Sequence, residues 1–362
     1  MVYLDANASE PLRPEARAAV LAALEAPGNP SSVHAAGRAA RHRLETAREA
    51  ISARFGTGTA NLVFTSGATE ADALAIHGLG AGRRVIIGAT EHDAVRAAAP
   101  DADILPVDGD GIADLDALER MLASGPPALV CLMLANNETG TIQPVAAAAA
   151  ICQRHGARLH VDAAQAAGRL PVDLATLGAA SLALSSHKLG GPAGAGALLL
   201  DAAAAAALAP LIRGGGQERG RRGGTPPLPA IAGFAAACVA AGDAAALAPL
   251  REAAEAAARA AGAVVIGAAA PRLANTACLA LPGVAAETQL MALDLAGIAV
   301  SAGAACSSGK VAASHVLAAM GLGELARCAI RVSLPWNAAD ADIAAFADAY
   351  ATMAARLSRH AA

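Results

Sequence analysis

Lys188 stands in Ser185-Ser186-His187-Lys188, at the end of an apolar run and just before Leu189-Gly190-Gly191-Pro192-Ala193-Gly194. A lysine captures an aldehyde only while its amine is unprotonated, which needs burial or a neighbouring cation. The end of a buried strand supplies burial, and the glycines let the backbone pass close to a ligand. Asp162 closes a second apolar run, Leu159-His160-Val161. A carboxylate there can pair with a protonated pyridine nitrogen and keep the ring an electron sink. It also reads as a helix N-cap, with Gln165 three residues on. Ser66-Gly67-Ala68-Thr69-Glu70 joins a strand to a helix, whose first N–H groups and Thr69 hydroxyl can take a phosphate or serve as an ordinary cap. His92, in Thr90-Glu91-His92-Asp93, can lie over a flat ring and move protons, or be structural. Cys306 lies in Ala302-Gly303-Ala304-Ala305-Cys306-Ser307-Ser308-Gly309. Such a small-residue loop suits a thiol that must reach one molecule and then another, and it also suits an incidental cysteine.

These groups need a scaffold that gathers them. Leu62-Val63-Phe64, Val85-Ile86-Ile87, residues 129–134, Leu159-His160-Val161, Leu182-Ala183-Leu184 and residues 197–200 read as strands, and a helix follows from about Thr69. Short strands alternating with helical segments give an α/β sheet, mostly parallel. Several strands end in polar clusters: Thr65-Ser66-Gly67, Asn136-Asn137-Glu138, Asp162-Ala163-Ala164-Gln165 and Ser185 to Lys188. Ligands gather at the carboxyl ends of strands in open α/β sheets. Residues 235–261 are nearly all helix formers and predict one long connecting helix. Val264-Val265-Ile266 and residues 276–281 begin a second set of strands. A large domain over 13–244 and a small one over 245–362, joined by residues 1–12, is the expected division.

The chain has 362 residues, enough for two domains, with 55% apolar, 16% charged and only 2% aromatic residues. That excludes a disordered chain and requires a core of Ala, Leu, Val and Ile. A net charge of −4 offers no general attraction to nucleic acid or an anionic membrane. The six cysteines form no C-x-x-C pair, so neither a disulfide framework nor a zinc site is expected. Reduced thiols and a cytoplasmic location are the simplest picture. The N-terminus lacks a signal pattern, and the apolar stretches 189–212 and 223–250 are broken by Pro and Gly, so no membrane span is expected. Gly78-Leu79-Gly80-Ala81-Gly82 follows a helix, the wrong order for a dinucleotide loop, and 303–310 lacks the spacing of a P-loop. The Arg/Gly run 213–224 carries no aromatics, which argues against nucleic-acid binding.

Together these clusters resemble the NifS/IscS-type cysteine desulfurases, pyridoxal-phosphate enzymes of the class V aminotransferase family. The resemblance runs through Tyr3-Leu4-Asp5, Gly28-Asn29-Pro30-Ser31-Ser32-Val33-His34, Phe64 to Glu70, Glu91-His92, Asn136-Asn137-Glu138-Thr139-Gly140, His160 to Gln165 and Ser185 to Lys188. It continues through Gly214-Gly215-Gly216-Gln217-Glu218-Arg219-Gly220, Gly224-Thr225, Cys306 and Ile330-Arg331-Val332-Ser333-Leu334. It implies the fold type I of pyridoxal-phosphate transferases: a large domain with a mostly parallel seven-stranded sheet and a smaller α+β C-terminal domain. It implies that Lys188 binds the cofactor aldehyde and moves the Cα proton, Asp162 pairs with the ring nitrogen, Gln165 meets the ring oxygen, and His92 stacks and acts as acid/base. Ala68, Thr69, Ser185 and His187 are then phosphate ligands, with Ser186 a further cofactor contact and Thr225 supplied by the other subunit of a homodimer. Asn137 contacts cofactor and substrate, Arg331 holds the substrate carboxylate, and Cys306 accepts sulfur from L-cysteine for an acceptor protein such as an iron–sulfur scaffold. No metal is implied. A class V aminotransferase or a lyase acting on selenocysteine or cysteine sulfinate would share Lys188 and Asp162, and Cys306 distinguishes the desulfurase. The chain departs from the family's usual pattern at Ser9-Glu10-Pro11, at Gly223 with Pro226-Pro227 following, and at Pro335-Trp336.

Overall fold

A computed structural model describes residues 1–303 and 314–358 of the chain. It begins with β1 (Val2–Tyr3). Seven strands follow: β2 (Leu62–Thr65), β3 (Arg84–Gly88), β4 (Asp103–Leu105), β5 (Ala128–Cys131), β6 (Arg158–Asp162), β7 (Ser181–Ser185) and β8 (Gly196–Leu200). After them come β9 (Val264–Ile266), β10 (Thr276–Ala280), β11 (Ile298–Ala299), β12 (Ser301–Ala302) and β13 (Ala329–Ser333). The central sheet has seven strands in the order β2-β8-β7-β6-β5-β3-β4. From β7 to β4 neighbours run parallel, and β8 is antiparallel to both β7 and β2. Strands β5, β7 and β8 are buried throughout, because helices cover both faces, and so they read as unbroken apolar runs.

One face packs on the helices Pro14–Leu24, Ala35–Arg54, Val145–Arg154 and Leu228–Ala240, through Ala16, Leu44, Ile51, Val145 and Phe234. The other packs on Ala68–Gly80 and Ala202–Ala207, through Leu74, Leu79, Ala204 and Ala205. All four phenylalanines are at most 2% exposed, and small aliphatics fill the rest. β2 lies at an open edge of the sheet, and Glu218 covers it: its carboxylate accepts Phe64 N–H at 2.9 Å and pairs with Arg48 at 2.8 Å. Glu218 and Arg219 adopt left-handed backbone angles, φ 47° and 59°, to reach there, a conformation disfavoured for residues with a side chain.

A second layer has the antiparallel sheet β12-β13-β10-β9, covered by Ala248–Ala260, Ala286–Leu295 and Asp340–Ser358. β1 pairs in parallel with β11, and Leu4 is buried in that core. The run 235–261 is not the single helix the sequence predicts. Leu228–Ala240 ends, a short 3-10 turn Ala244–Leu247 intervenes, and Ala248–Ala260 leaves at 74°. The Asp243 carboxylate accepts Ala245 N–H at 2.9 Å and Pro249 occupies the first turn, so a new start is encoded inside a run of helix formers. No single helix among the described residues is long and apolar enough to cross a membrane; that bent pair meets the length and composition only jointly.

Candidate active site

Two neighbouring parallel strands, β6 and β7, deliver their last residues to one cavity of about 560 Å³. Asp162 ends β6 and Ser185 ends β7. A 3-10 turn, Ser186–Lys188, then swings the lysine into the cavity wall. The Lys188 amine donates to Asn7 O at 2.6 Å and Ala8 O at 3.0 Å. A neutral amine has two N–H bonds for these carbonyls and keeps a lone pair. Burial, with the charges of Arg331 and Arg169, lowers its pKa to about 8, against the opposing pull of Asp162 and Asp5. The poor environment for charge that the sequence required is present.

Asp162 is not a helix cap: its Oδ1 accepts Ala164 N–H at 2.8 Å in a tight turn, and no helix follows until Leu174–Leu177. Burial raises its pKa, while the Ala164 N–H, His92 and Lys188 pull it back. Beneath it, burial raises Asp72 and Glu91 well above the usual carboxylate range. His160, two residues before Asp162, bonds Ser181 Oγ at 2.8 Å and Asp72 Oδ1 at 3.1 Å. Burial lowers its pKa to about 3, so the Asp72 contact is a hydrogen bond of a neutral ring rather than an ion pair.

At the other end lies the start of helix Ala68–Gly80, whose first turn no side chain caps. Its N–H groups face a cavity also lined by Ser185 and His187, a setting that favours an anion. Gly196 makes this junction possible: a Cβ there would stand 2.5 Å from Leu184 O and 2.6 Å from Gly67 Cα. His187 is lowered to about 4 by burial and by Lys188. His92 caps Asp93–Ala98, its Nδ1 accepting Ala94 N–H at 3.1 Å, which leaves the proton of the neutral ring on Nε2. Arg331 donates to Asp5 Oδ1 at 2.6 Å and Asn137 O at 3.1 Å, and its buried Nε has no partner among the described residues.

Ala68, Thr69, His92, Asn137, Asp162, Gln165, Ser185, His187, Lys188 and Arg331 therefore meet in one cavity. Ser186 and Thr225 are not among its lining residues; Ser186 is fully buried, with Gly191 packed against its hydroxyl, and Thr225 is exposed. Cys306 lies outside the described residues. Gly303 and Ser314, which flank residues 304–313, both meet Glu138: Ser314 Oγ donates to its Oε2 at 2.5 Å, and a Cβ on Gly303 would stand 2.1 Å from that oxygen. The other five cysteines are free and buried.

Sequence reasoning assigned no role to Asp72, Glu138, His315 or Asn7, all of which line the cavity. Asp72 is four residues after Ala68 on one helix, a spacing that puts both on one face. Asn7 is brought in from the N-terminus by bonds to Thr276 Oγ1 at 2.9 Å and Asn137 O at 3.1 Å, and no local signal marks it.

A model of the class V aminotransferase family matches residues 2–346. A cysteine desulfurase of Cereibacter sphaeroides is 43% identical over 93% of this chain and 92% of its own. An IscS-like cysteine desulfurase of Mycobacterium tuberculosis is 37% identical over 99% and 98%. Among solved structures, a NifS-like protein from Rickettsia africae superposes with a TM-score of 0.90 at 32% identity, over 98% of this chain and 99% of that one. The chain belongs to the class V aminotransferase family, and within it to the group of NifS/IscS-type cysteine desulfurases.

Proposed function

We propose that the protein is a pyridoxal-phosphate-dependent cysteine desulfurase that takes sulfur from L-cysteine onto Cys306 and releases L-alanine. The observation that carries this is the Lys188 amine, lowered to about 8, in one cavity with a buried strand-end carboxylate and an uncapped helix start. That donor set fits a phosphorylated pyridine aldehyde. Lys188 would hold the aldehyde, Asp162 the ring nitrogen, Gln165 the ring oxygen and His92 the ring face. Ala68, Thr69, Ser185 and His187 would hold the phosphate, with Ser186 supporting the turn and Thr225 supplied by a second copy of the chain. When bound, the cofactor supplies an electron sink that makes the Cα proton of the amino acid removable.

The chain's own groups do the rest. Arg331, with its unpartnered Nε and Asn137 beside it, binds the substrate carboxylate. Lys188 takes the Cα proton. The Cys306 thiolate attacks the substrate sulfur, an S–S bond forms, the Cβ–S bond breaks, and its electron pair stays at Cβ. Cβ then takes a proton and Lys188 returns one to Cα, so cysteine leaves as alanine, and the added sulfur remains on Cys306 without any external oxidant or reductant. The persulfide passes to a protein acceptor, such as an iron–sulfur scaffold. A homodimer with shared sites, the division into 13–244 and 1–12 with 245–362, and a cytoplasmic location belong to the same reading. Purified protein given pyridoxal phosphate is expected to turn yellow, and borohydride to bleach the colour while fixing the cofactor covalently at Lys188. Cys306→Ala keeps the colour and stops sulfide release from cysteine. Wild-type release by Cys306→Ala contradicts the persulfide route.

A further inference from the structure

Two departures from the family's pattern, Glu10 and Trp336, lie far apart in the chain and touch in the structure. Trp336 N–H donates to Glu10 Oε2 at 3.2 Å, and the indole N–H donates to Pro11 O at 2.9 Å. The Arg13 guanidinium lies 4.9 Å from the centre of the indole. The other oxygen of Glu10 accepts Arg169 Nη2 at 3.1 Å. Arg169 Nη1 in turn donates to Gln165 Oε1 and to Gln165 O. Glu10 is 8% exposed, Arg169 3% and Gln165 6%. Gln165 lines the cavity, and its Nε2 donates to Asn7 O at 3.0 Å, the carbonyl that also receives the Lys188 amine.

A glutamine amide can be turned over by half a rotation, which exchanges donor and acceptor. Arg169 can only donate, so its contact decides the matter: the oxygen faces Arg169 and the NH₂ group faces Asn7. One N–H serves Asn7 O, and the second is the donor that Gln165 can offer an acceptor in the cavity. Arg169 holds this position because Glu10 opposes its charge while both side chains are largely buried; without that carboxylate, the guanidinium keeps only the carbonyls of Ala6 and Gln165 and the amide oxygen.

We propose that Glu10 is a positioning residue: anchored by Trp336 and acting through Arg169, it fixes the Gln165 amide so that its NH₂ is presented to the ring oxygen of the cofactor. This rests on the reading of the cavity as a pyridoxal-phosphate site. Glu10 touches neither cofactor nor substrate, and its effect passes entirely through Gln165.

That dependence sets the test, a cycle of wild type, Glu10→Gln, Gln165→Ala and the double variant. The affinity for pyridoxal phosphate and the wavelength of its visible band are measured on each, with circular dichroism confirming the fold. Glu10→Gln is expected to weaken binding by about fivefold and to move the band. In the Gln165→Ala background it changes neither. An unchanged Glu10→Gln protein, or the same change in both backgrounds, overturns the proposal while the cavity reading stands. A wild-type protein that takes up no pyridoxal phosphate overturns both. Arg169→Lys goes through the same cycle, with the same two outcomes expected, should Glu10→Gln fail to fold.

Discussion

Lys188 shows how far a single side chain's behaviour is set by its surroundings. Its pKa falls from 10.5 to about 8 because the amine is buried and faces Arg331 and Arg169. A lowered lysine is neutral above its folded pKa and protonated below it. Capture of pyridoxal phosphate by the cofactor-free protein is therefore expected to speed up with rising pH through about 8 and to level off above it, as followed by stopped-flow absorbance. A midpoint near the ordinary lysine value would show that the amine is not shielded. Arg331 makes a second test at this scale. Its planar fork suits a carboxylate in a way that an ammonium does not, so Arg331→Lys is expected to raise KM for cysteine by about tenfold or more while the cofactor colour is kept.

At the scale of elements, the site depends on where strands stop and one helix begins. Gly196 lets β8 pass the Gly67 backbone, and a methyl group there meets backbone atoms that cannot move aside. Gly196→Ala is expected to cost about 1–3 kcal/mol in urea unfolding and to loosen cofactor binding at the helix start. Glu218→Ala leaves buried Arg48 without its main counter-charge and exposes the edge of β2, a loss of about 2–3 kcal/mol by the same measurement. The strands that build the site were legible because burial on both faces makes them unbroken apolar runs ending in polar clusters. β4 was not: Asp103 and Ile104 are exposed on a three-residue edge strand. The break at 241–243 was hidden because only Gly242 and Asp243, with Pro249 in the next first turn, mark it inside a long run of helix formers. Of the site, Lys188, Asp162 and His92 could be read from strand ends and motifs, and Arg331 only through the family resemblance. Asn7 could not, since tertiary packing alone brings it there, and Asp72 was signalled only by its place four residues after Ala68 on the same helix.

At the scale of the molecule, Thr225 is exposed and does not line the cavity of its own chain; under the proposed reading it serves a second copy. Mixing Thr225→Ala chains with Lys188→Ala chains then gives mixed dimers with one intact site. Activity regained to about a quarter of wild type, at cofactor levels where neither variant alone is active, is the expected outcome. No gain on mixing would place Thr225 in its own subunit's site or outside both.

The most direct measurement is mass spectrometry of the intact protein, loaded with pyridoxal phosphate, after brief exposure to L-cysteine, followed by peptide mapping. The expected result is one added sulfur on the peptide that carries Cys306, removed by dithiothreitol, with alanine formed in equal amount. Alanine or sulfide produced with no sulfur ever found on Cys306 would contradict it.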